Sequence, residues 1–391
     1  MAHSKERVTV KCYVAAKMAI LDLFSSKKSH QSDYLVTVLF ALLVVCGLVI
    51  LASASSQLGA SQFGDSYYFL KHQIYYGLSF GIIGFLIAAR INYGAYNNRV
   101  FGITFLVLTL ILVLLVFTPA GITAKGATRW LALGQFSFQP AEFLKLSLIM
   151  YLASWLAFKD HRQRALKTGF LPFAAVLTLV SGILILQHST SPVVMLIAVA
   201  LVMYFVSGAK LSYLFGIVFA GLVSLALIVA ITPYRAQRVL TYLNPESDAM
   251  GGGYQSLQAK TAIGAGGLTG VGYGQSTVKH RLPEPAGDSI FAVAGEEFGF
   301  IGATVLVLLF AFLIIRMYVL AQRTNDPFGR LLLIGFATII GVQTFVNMGA
   351  MTGFLPLTGT PLPFISYGGT NLAVFMTMLG IAVNISKYTN E

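Results

Sequence analysis

Four carboxylates stand close together between residues 284 and 297 of this 391-residue chain. Glu284 and Asp288 lie in a polar loop, and Glu296 and Glu297 follow in the apolar helix that the loop turns into. A carboxylate is costly inside a membrane helix, so an acid at the start of such a helix is a candidate for function. We therefore take Asp288 as the candidate catalytic residue.

Asp288 also has a purely structural interpretation. Asp is a favoured N-cap residue, and the helix-forming run Ser-Ile-Phe-Ala-Val-Ala follows it, so it could cap the next helix. Glu296 and Glu297 come about 12 Å deeper by helical rise. We expect these two glutamates to support the site by bracing neighbouring helices or the loop.

A second group of charges surrounds residues 120–140. Lys125 and Arg129 are cations in this loop, and Glu142 and Lys145 lie three residues apart on the helix that follows. One interpretation is a local Glu142–Lys145 ion pair together with cations that reach the membrane interface. The other is a cationic site for an anionic head group, since Arg and Lys both suit phosphate.

Glycine is concentrated in residues 264–274, which suggests a phosphate-binding loop. The run lacks the Gly-Lys-Ser/Thr ending of a P-loop, and no strand–helix unit surrounds it. We therefore expect tight turns and close backbone packing here. Backbone contact with a phosphate stays open as the alternative.

Prolines interrupt the sequence near the C-terminus. Residues 358–371 read TGTPLPFISYGGTN, and prolines at 356, 361 and 363 with Gly368 and Gly369 break any helix there. Irregular backbone at membrane depth is tolerated only where protein buries it or a cavity exposes it. This segment is therefore predicted to form one wall of a cavity.

The composition indicates a polytopic membrane protein. The chain is 57% hydrophobic and 10% charged, with a mean hydropathy of +0.78. Its net charge of +12 is spread over many segments, so the composition argues against nucleic-acid binding. Cys12 and Cys46 fall in the N-terminal tail and the first apolar span, which leaves no disulfide framework.

The apolar segments predict an all-α fold of ten transmembrane helices. Each segment approaches the roughly 20 residues that a helix needs to cross a bilayer. They lie near residues 35–54, 74–89, 100–119, 141–158, 171–187, 192–208, 213–233, 290–320, 331–354 and 372–386. Cations concentrate in the tail and in alternate loops, so the positive-inside rule predicts that both termini are cytoplasmic.

The sequence predicts two parts. Residues 1–34 form a cytoplasmic tail, either on the anionic inner leaflet or disordered, and residues 35–391 form the membrane domain. A large extracytoplasmic loop, about residues 234–288, separates helices 7 and 8. A long loop in a compact protein is usually functional or disordered, and its tyrosines favour an ordered, functional loop.

Several long motifs in the same order resemble the SEDS family of bacterial cell-wall proteins, which includes FtsW, RodA and SpoVE. They are GATRWLALGQFSFQPAEFLKL at 126–146, GGLTGVGYGQS at 266–276, LPEPAGDSIFAVAGEEFGFIGA at 282–303 and PLPFISYGG at 361–369. With the ten-span frame, they cover nearly everything from Leu35 to the end. The end of the first span and residues 371–386 look most like the FtsW branch.

The resemblance implies a peptidoglycan glycosyltransferase that polymerises lipid II at the outer face of the bacterial cytoplasmic membrane. The family's essential acid maps onto Asp288, and its conserved polar residues near the fourth span map onto Arg129, Gln139, Glu142 and Lys145. Ser366 and Gly368, in the last matching motif, are expected to support the site. The family works with a class B penicillin-binding protein, a transpeptidase, and the FtsW branch implies the division septum and other divisome proteins.

These residues suggest a mechanism. Asp288 would act as base for the acceptor's 4-hydroxyl, while Arg129, Lys145 and Lys125 would bind the departing diphosphate, with Mg²⁺ or Mn²⁺ as a candidate cofactor. No organic cofactor is expected. Two alternatives stay open: a lipid II flippase or other transporter, and a non-catalytic division scaffold.

One segment departs from the family pattern and bears on the scaffold alternative. The family shows Gln-Pro-Asp after the fifth span, whereas this chain reads Gln187-His188-Ser189. The loop acid is absent, which adds weight to a scaffold without activity of its own.

Overall fold

Helices make up most of the chain. The computed structural model describes residues 31–124, 127–133, 136–158, 162–248, 250–251 and 253–389. Over these residues the helices are α1 (Tyr34–Phe63), α2 (Tyr68–Arg90), α3 (Arg99–Leu115), α4 (Pro140–Ala157), α5 (Leu166–Leu186), α6 (Thr190–Val206), α7 (Leu211–Ile231), α8 (Pro233–Leu243), α9 (Tyr254–Ala265), α10 (Ile290–Arg323), α11 (Pro327–Thr352) and α12 (Gly369–Ser386). Short 3₁₀ turns occur at Tyr93–Tyr96, Arg162–Arg164, Pro245–Asp248 and Val278–His280.

The chain is a polytopic membrane protein. Among the described residues, seven helices are long and apolar enough to cross a bilayer, and α3 and α6 are shorter apolar helices. Each of the ten predicted segments overlaps one helix, including α4. The number of spans stays a prediction, as does the division of the chain at residue 34. The tail up to residue 30 and Lys125 lie outside the described residues.

Local sequence sets several helix ends. The Asp33 carboxylate accepts a hydrogen bond from the Val36 N–H at 2.9 Å and caps α1. Asp326 caps α11 in the same way through the Gly329 N–H, with Pro327 in the first turn. Gly64 and Gly353 end α1 and α11 with φ of 69° and 80°, a conformation that glycine adopts without strain.

One face of the bundle is joined by polar contacts between helix ends. Arg316 of α10 donates to the Asp33 carboxylate at 2.9 Å, and the Asp33 N–H donates to Ser386 of α12 at 2.9 Å. Asn384 of α12 donates to the Ala89 carbonyl at the end of α2. The segments predicted to be extracytoplasmic contact one another at the opposite ends of the helices. Which face is cytoplasmic stays a prediction.

Residues 120–140 contain a small sheet that the sequence analysis did not predict. Strands β1 (Gly121–Ala124), β2 (Ala127–Leu133) and β3 (Phe136–Phe138) form an antiparallel meander in the order β1-β2-β3. The segment was expected to be irregular, so the all-α description needs this exception. The predicted long loop 234–288 is also partly helical, since it contains α8 and α9.

Helix α10 is kinked at Gly299, and the glycine-rich segment forms hydrogen bonds with the backbone groups that the kink leaves unpaired. Gly299 has φ of 64° and ψ of −165°, which interrupts the helical hydrogen bonds. Four backbone bonds compensate: Val271 to Glu296, Gly272 to Glu297, Phe300 to Gly267 and Ile301 to Leu268, each from N–H to carbonyl. Because unsatisfied backbone groups are costly in a membrane, this exchange makes the kink possible. The predicted close backbone packing of residues 264–274 is therefore what the structure shows.

Gly270 packs directly against the backbone of α10 within this segment. Its φ is +83°, and a Cβ there would lie 2.1 Å from the Glu297 carbonyl oxygen. We expect Gly270→Ala to lower the thermal midpoint of the detergent-solubilised protein, measured by fluorescence-detected size exclusion. Gly267 has φ of +52° with open space around it, so Gly267→Ala isolates the backbone strain, about 1–2 kcal/mol. Equal losses in both variants would contradict the close contact.

Candidate active site

Asp288 lies in a bonded turn directly before α10. The N–H groups of Gly287 and Ser289 donate to the Glu284 carbonyl, and the Ser289 hydroxyl donates to the Pro283 carbonyl at 2.7 Å. Glu284 adopts φ of 51° within this turn. Ser289 occupies the N-cap position of α10 without a side-chain capping bond, so Asp288 lies one residue before the position that the capping interpretation gave it.

Residues 355–368, which we call the wall loop, pack against this turn. The Tyr367 N–H donates to the Ala286 carbonyl at 2.8 Å, and the Ser366 hydroxyl donates to the Gly287 carbonyl at 2.7 Å. A Cβ at Gly359 would lie 3.8 Å from Oδ2 of Asp288, so the carboxylate faces the wall loop at a position without a side chain. The segment predicted to form one wall of the site therefore lies beside the candidate catalytic acid.

The start of α2 holds the other end of the wall loop. Gln73 accepts from the Gly368 N–H at 3.0 Å and donates to the Ser366 carbonyl at 3.4 Å. Burial raises the pKa of Tyr367 to about 12, so its phenol stays protonated at neutral pH. That phenol hydrogen-bonds to Nδ1 of His72 at 3.0 Å. Ser366 and Gly368 are thus bonded to α2, and Ser366 also to the Asp288 turn, while their supporting role stays a prediction.

Glu142 and Lys145 form a buried ion pair behind the wall loop. The Lys145 ammonium donates to the Glu142 carboxylate at 2.8 Å, and their side chains are 2% and 6% exposed. The same ammonium donates to Gln343 of α11 at 2.7 Å, and Gln343 donates to the Pro361 carbonyl at 2.9 Å. Lys145 therefore acts on the wall loop through Gln343. This geometry favours positioning over direct contact with a substrate.

Arg129 reaches the site from the sheet. Ile122 and Thr123 of β1 pair with Trp130 and Thr128 of β2, so Arg129 between them is the extra residue of a β-bulge. Bulges often redirect a side chain next to a functional site. The guanidinium donates through Nη2 to the His188 carbonyl at 2.5 Å, in the loop between α5 and α6.

The loop between α5 and α6, together with the first turn of α6, connects Arg129 to the wall loop. Gln187 is buried and donates to the Val113 carbonyl at 2.7 Å, while His188 adopts φ of 55°. The Ser191 hydroxyl donates to the Thr358 carbonyl at 2.8 Å, next to Gly359. The segment in which the resemblance led us to expect an acid therefore lies between Arg129 and the Asp288 side of the site.

Gln139 is placed by its backbone at the end of the sheet. Its N–H donates to the Thr370 hydroxyl at 3.3 Å, which joins the start of α4 to the start of α12. The structure thus brings the predicted residues of α4 and the sheet to the face that carries Asp288. Lys125 lies outside the described residues.

Glu296 and Glu297 bind residues of neighbouring elements. Glu296 accepts from the N–H groups of Thr277 and Val278 and from the Ser276 hydroxyl. The Glu297 carboxylate accepts from the Ser53 hydroxyl of α1 and lies 3.3 Å from the Lys279 ammonium. Neither glutamate faces the Asp288 turn through a described hydrogen bond, so their geometry suits support.

Two buried amides of α11 were not singled out from the sequence. Gln343 and Asn347 are 0% and 1% exposed, and both donate to the wall loop. Amide side chains within an otherwise apolar span were the signal that could have revealed them. Across the described residues, no three His, Cys, Asp or Glu side chains group as metal ligands.

The sequence and the fold of this chain are similar to those of several known proteins. Residues 33–391 match the FtsW, RodA and SpoVE family model, described as cell cycle protein. The "probable peptidoglycan glycosyltransferase FtsW" of Geobacter metallireducens is 40% identical over 92% of this chain and 96% of its own. Stage V sporulation protein E of Bacillus subtilis is 35% identical over 93% of this chain and 99% of its own length.

Solved structures show the same similarity. A chain from a peptidoglycan synthase complex, studied for its coordination of polymerization and crosslinking, superposes with a TM-score of 0.74 and 28% identity. The match covers 91% of this chain and 97% of that one. The rod shape determining protein RodA of Thermus thermophilus gives a TM-score of 0.68 and 26% identity, covering 92% and 98%.

Proposed function

The chain belongs to the FtsW, RodA and SpoVE family of cell cycle proteins, and on that premise we infer that it is a peptidoglycan glycosyltransferase. We propose that it polymerises lipid II into glycan strands at the outer face of the cytoplasmic membrane. The observation that carries the proposal is the position of Asp288. Its turn is bonded to the wall loop, and its carboxylate faces Gly359 near the loop that Arg129 contacts.

In the proposed reaction, the 4-hydroxyl oxygen of the acceptor sugar forms a bond to the anomeric carbon of the donor. The bond from that carbon to the lipid diphosphate breaks, and the hydroxyl proton passes to the Asp288 carboxylate. One carboxylate suffices for this direct displacement with inversion, because the diphosphate leaves as an anion without being protonated. The polyprenyl tails stay in the lipid between helices, which suits a helical bundle.

Arg129 is the proposed contact for the diphosphate. Its guanidinium lies at a β-bulge on the face that carries Asp288, and a planar fork of donors suits phosphate oxygens. Lys145 is assigned a positioning role because Glu142 and Gln343 bind its buried ammonium. A divalent cation stays a candidate cofactor that would share the neutralisation of the diphosphate, and among the described residues no three His, Cys, Asp or Glu side chains form a group that could hold it.

Arg129 variants test the diphosphate assignment. We expect Arg129→Ala to lower kcat/KM for lipid II polymerisation by about 100-fold, the loss of a donor to developing negative charge. Arg129→Lys keeps the charge without the fork and should recover part of the rate. Lys71, an exposed cation paired with Asp65, supplies the control Lys71→Ala, which should stay near wild type. Equal rates for wild type and Arg129→Ala would contradict the assignment.

The proposed partner is a class B penicillin-binding protein, the transpeptidase that crosslinks the new strands. Support comes from the similar chain within a peptidoglycan synthase complex that coordinates polymerization and crosslinking. Similarity to FtsW proteins supports a place at the division septum with other divisome proteins. In this proposal both termini are cytoplasmic, and the face that carries Asp288 is extracytoplasmic.

A proteoliposome experiment separates the enzyme from its two rivals. Fluorescent lipid II in the outer leaflet would be polymerised by an enzyme, whereas a flippase would only exchange it between leaflets. A scaffold would neither polymerise nor exchange lipid II. If the chain were a scaffold, Asp288→Asn would also leave cell division intact. We expect polymer that depends on Asp288. Leaflet exchange without polymer would overturn the proposal.

A further inference from the structure

Asn347 of α11 connects the backbone of Asp288 to the wall loop. Its side chain is 1% exposed, and its Nδ2 donates to two carbonyl oxygens. One is the Asp288 carbonyl at 2.8 Å, and the other is the Thr360 carbonyl at 2.7 Å. A single amide group therefore holds the candidate base and the segment that its carboxylate faces.

The orientation of this amide follows from chemistry. A carbonyl oxygen can only accept a hydrogen bond, so the NH₂ group of Asn347 must face both oxygens. Gln343 lies one turn earlier on the same face of α11 and is oriented by the Lys145 ammonium, which can only donate. The consecutive carbonyls of Thr360 and Pro361 are thus both fastened to α11.

Satisfying buried carbonyls is a structural task, but the contact with Asp288 adds a second consequence. Gln343 bonds to the wall loop and to Lys145 without a described bond to Asp288, whereas Asn347 also fixes the main chain that carries the carboxylate. A small displacement of that main chain would move the base relative to the acceptor hydroxyl. Misplacement by about 1 Å can reduce a rate about 100-fold.

We propose that Asn347 is a positioning residue for glycan polymerisation, which sets the distance between Asp288 and the wall loop. This inference rests on the proposed function, because it presumes that Asp288 is the base. Asn347 acts through Asp288 and the wall loop rather than by contact with the reacting atoms. It should therefore affect turnover more than substrate binding.

The experiment compares Asn347→Ala with wild type in full-length protein reconstituted with lipid II. We expect kcat to fall about 10- to 100-fold while KM changes less than about 3-fold. Thr344→Val is the matched control, because Thr344 is a buried neighbour on α11 without a described contact to Asp288. It should keep both constants near wild type. Thermal midpoints measured in parallel show whether each variant is folded.

Asn347→Asp adds a readout that a purely structural role would not move. Its carboxyl has nearly the shape of the amide but can donate to a carbonyl only when it carries a proton. The charged residues connected to it by described hydrogen bonds are Asp288, through its carbonyl, and Lys145 with Glu142, through the wall loop and Gln343. We therefore expect the rate of Asn347→Asp relative to Asn347→Ala to rise as the pH falls. The pH profile of Asn347→Ala serves as the reference, because it contains no new carboxyl group at this position.

The outcomes separate this inference from the proposed function. If Asp288→Asn is inactive while folded Asn347→Ala and Asn347→Asp keep the wild-type kcat, the positioning role is refuted and the base assignment stands. A large increase in KM with unchanged kcat would also refute it. Wild-type polymerisation by Asp288→Asn would instead refute the proposed function.

Discussion

Replacing Asp288 with Asn is expected to lower the rate of lipid II polymerisation about 100- to 10,000-fold, the usual contribution of general-base catalysis. The amide keeps the size of the side chain but cannot accept a proton from the acceptor hydroxyl. The turn around residue 288 is held by backbone and by Ser289, Ser366 and Asn347, so it should survive the change. Initial rates and lipid II affinity should be measured on the same preparation.

Two comparisons show whether the loss concerns the base. Asp288→Glu keeps the carboxylate but lengthens the side chain, so it should retain more activity than Asp288→Asn. The wild-type rate should fall on the acid side of the pH profile, because a protonated carboxyl is not a base. A variant with intact kcat and weakened lipid II binding would show that Asp288 binds substrate instead.

Lys145→Met is expected to be the most destabilising single change at the site. It leaves the Glu142 carboxylate, 6% exposed, without its ion-pair partner and removes the donor that orients Gln343. Removing one member of a buried ion pair typically costs about 3–5 kcal/mol. The thermal midpoint should fall. Activity should fall with it, because Gln343 would no longer be oriented to donate to the Pro361 carbonyl of the wall loop.

The double variant Glu142→Gln with Lys145→Met distinguishes positioning from diphosphate contact. Removing both charges avoids an uncompensated buried carboxylate, so stability should recover relative to Lys145→Met alone. If Lys145 acts only by positioning, activity should recover in part with stability. Restored stability with activity still lost by 100-fold or more would instead favour direct contact between Lys145 and the substrate.

The helices could be predicted from local sequence because a membrane span needs about 20 consecutive apolar residues. Even the errors at helix ends have local causes. The ninth segment was predicted to begin at residue 331, whereas α11 begins at Pro327, where Asp326 and Pro327 are ordinary helix-start signals. The sheet was missed although Phe136-Ser137-Phe138 and the alternation around Trp130 favour strands.

Features that depend on distant partners could not be predicted in the same way. The kink at Gly299 is possible only because residues 267–272 supply and accept the missing backbone bonds. The sequence suggested that Glu142 and Lys145 would pair, but it did not show that Gln343, 198 residues away, completes the environment of Lys145. Spacing along one helix predicts neighbours on that helix and says little about the helix opposite.

The sequence identified most of the candidate residues of the site but not all of the contacts that hold them together. Asp288, Ser366 and Gly368 were identified from polar residues and resemblance, and the structure brings their loops into contact. The N-cap position differed by one residue, because local preference for Asp or Ser at a helix start does not choose between neighbours. Asn347 was not predicted, because the sequence does not show that its amide meets the Asp288 turn and the wall loop.

The most direct test of this account is a lipid II polymerisation assay on the purified chain, with and without its transpeptidase partner, for wild type and Asp288→Asn. We predict that wild type forms glycan strands and that Asp288→Asn forms none above background in either condition. Folded Asp288→Asn protein that polymerises lipid II at the wild-type rate would contradict the account, as would wild type that forms no polymer even with its partner.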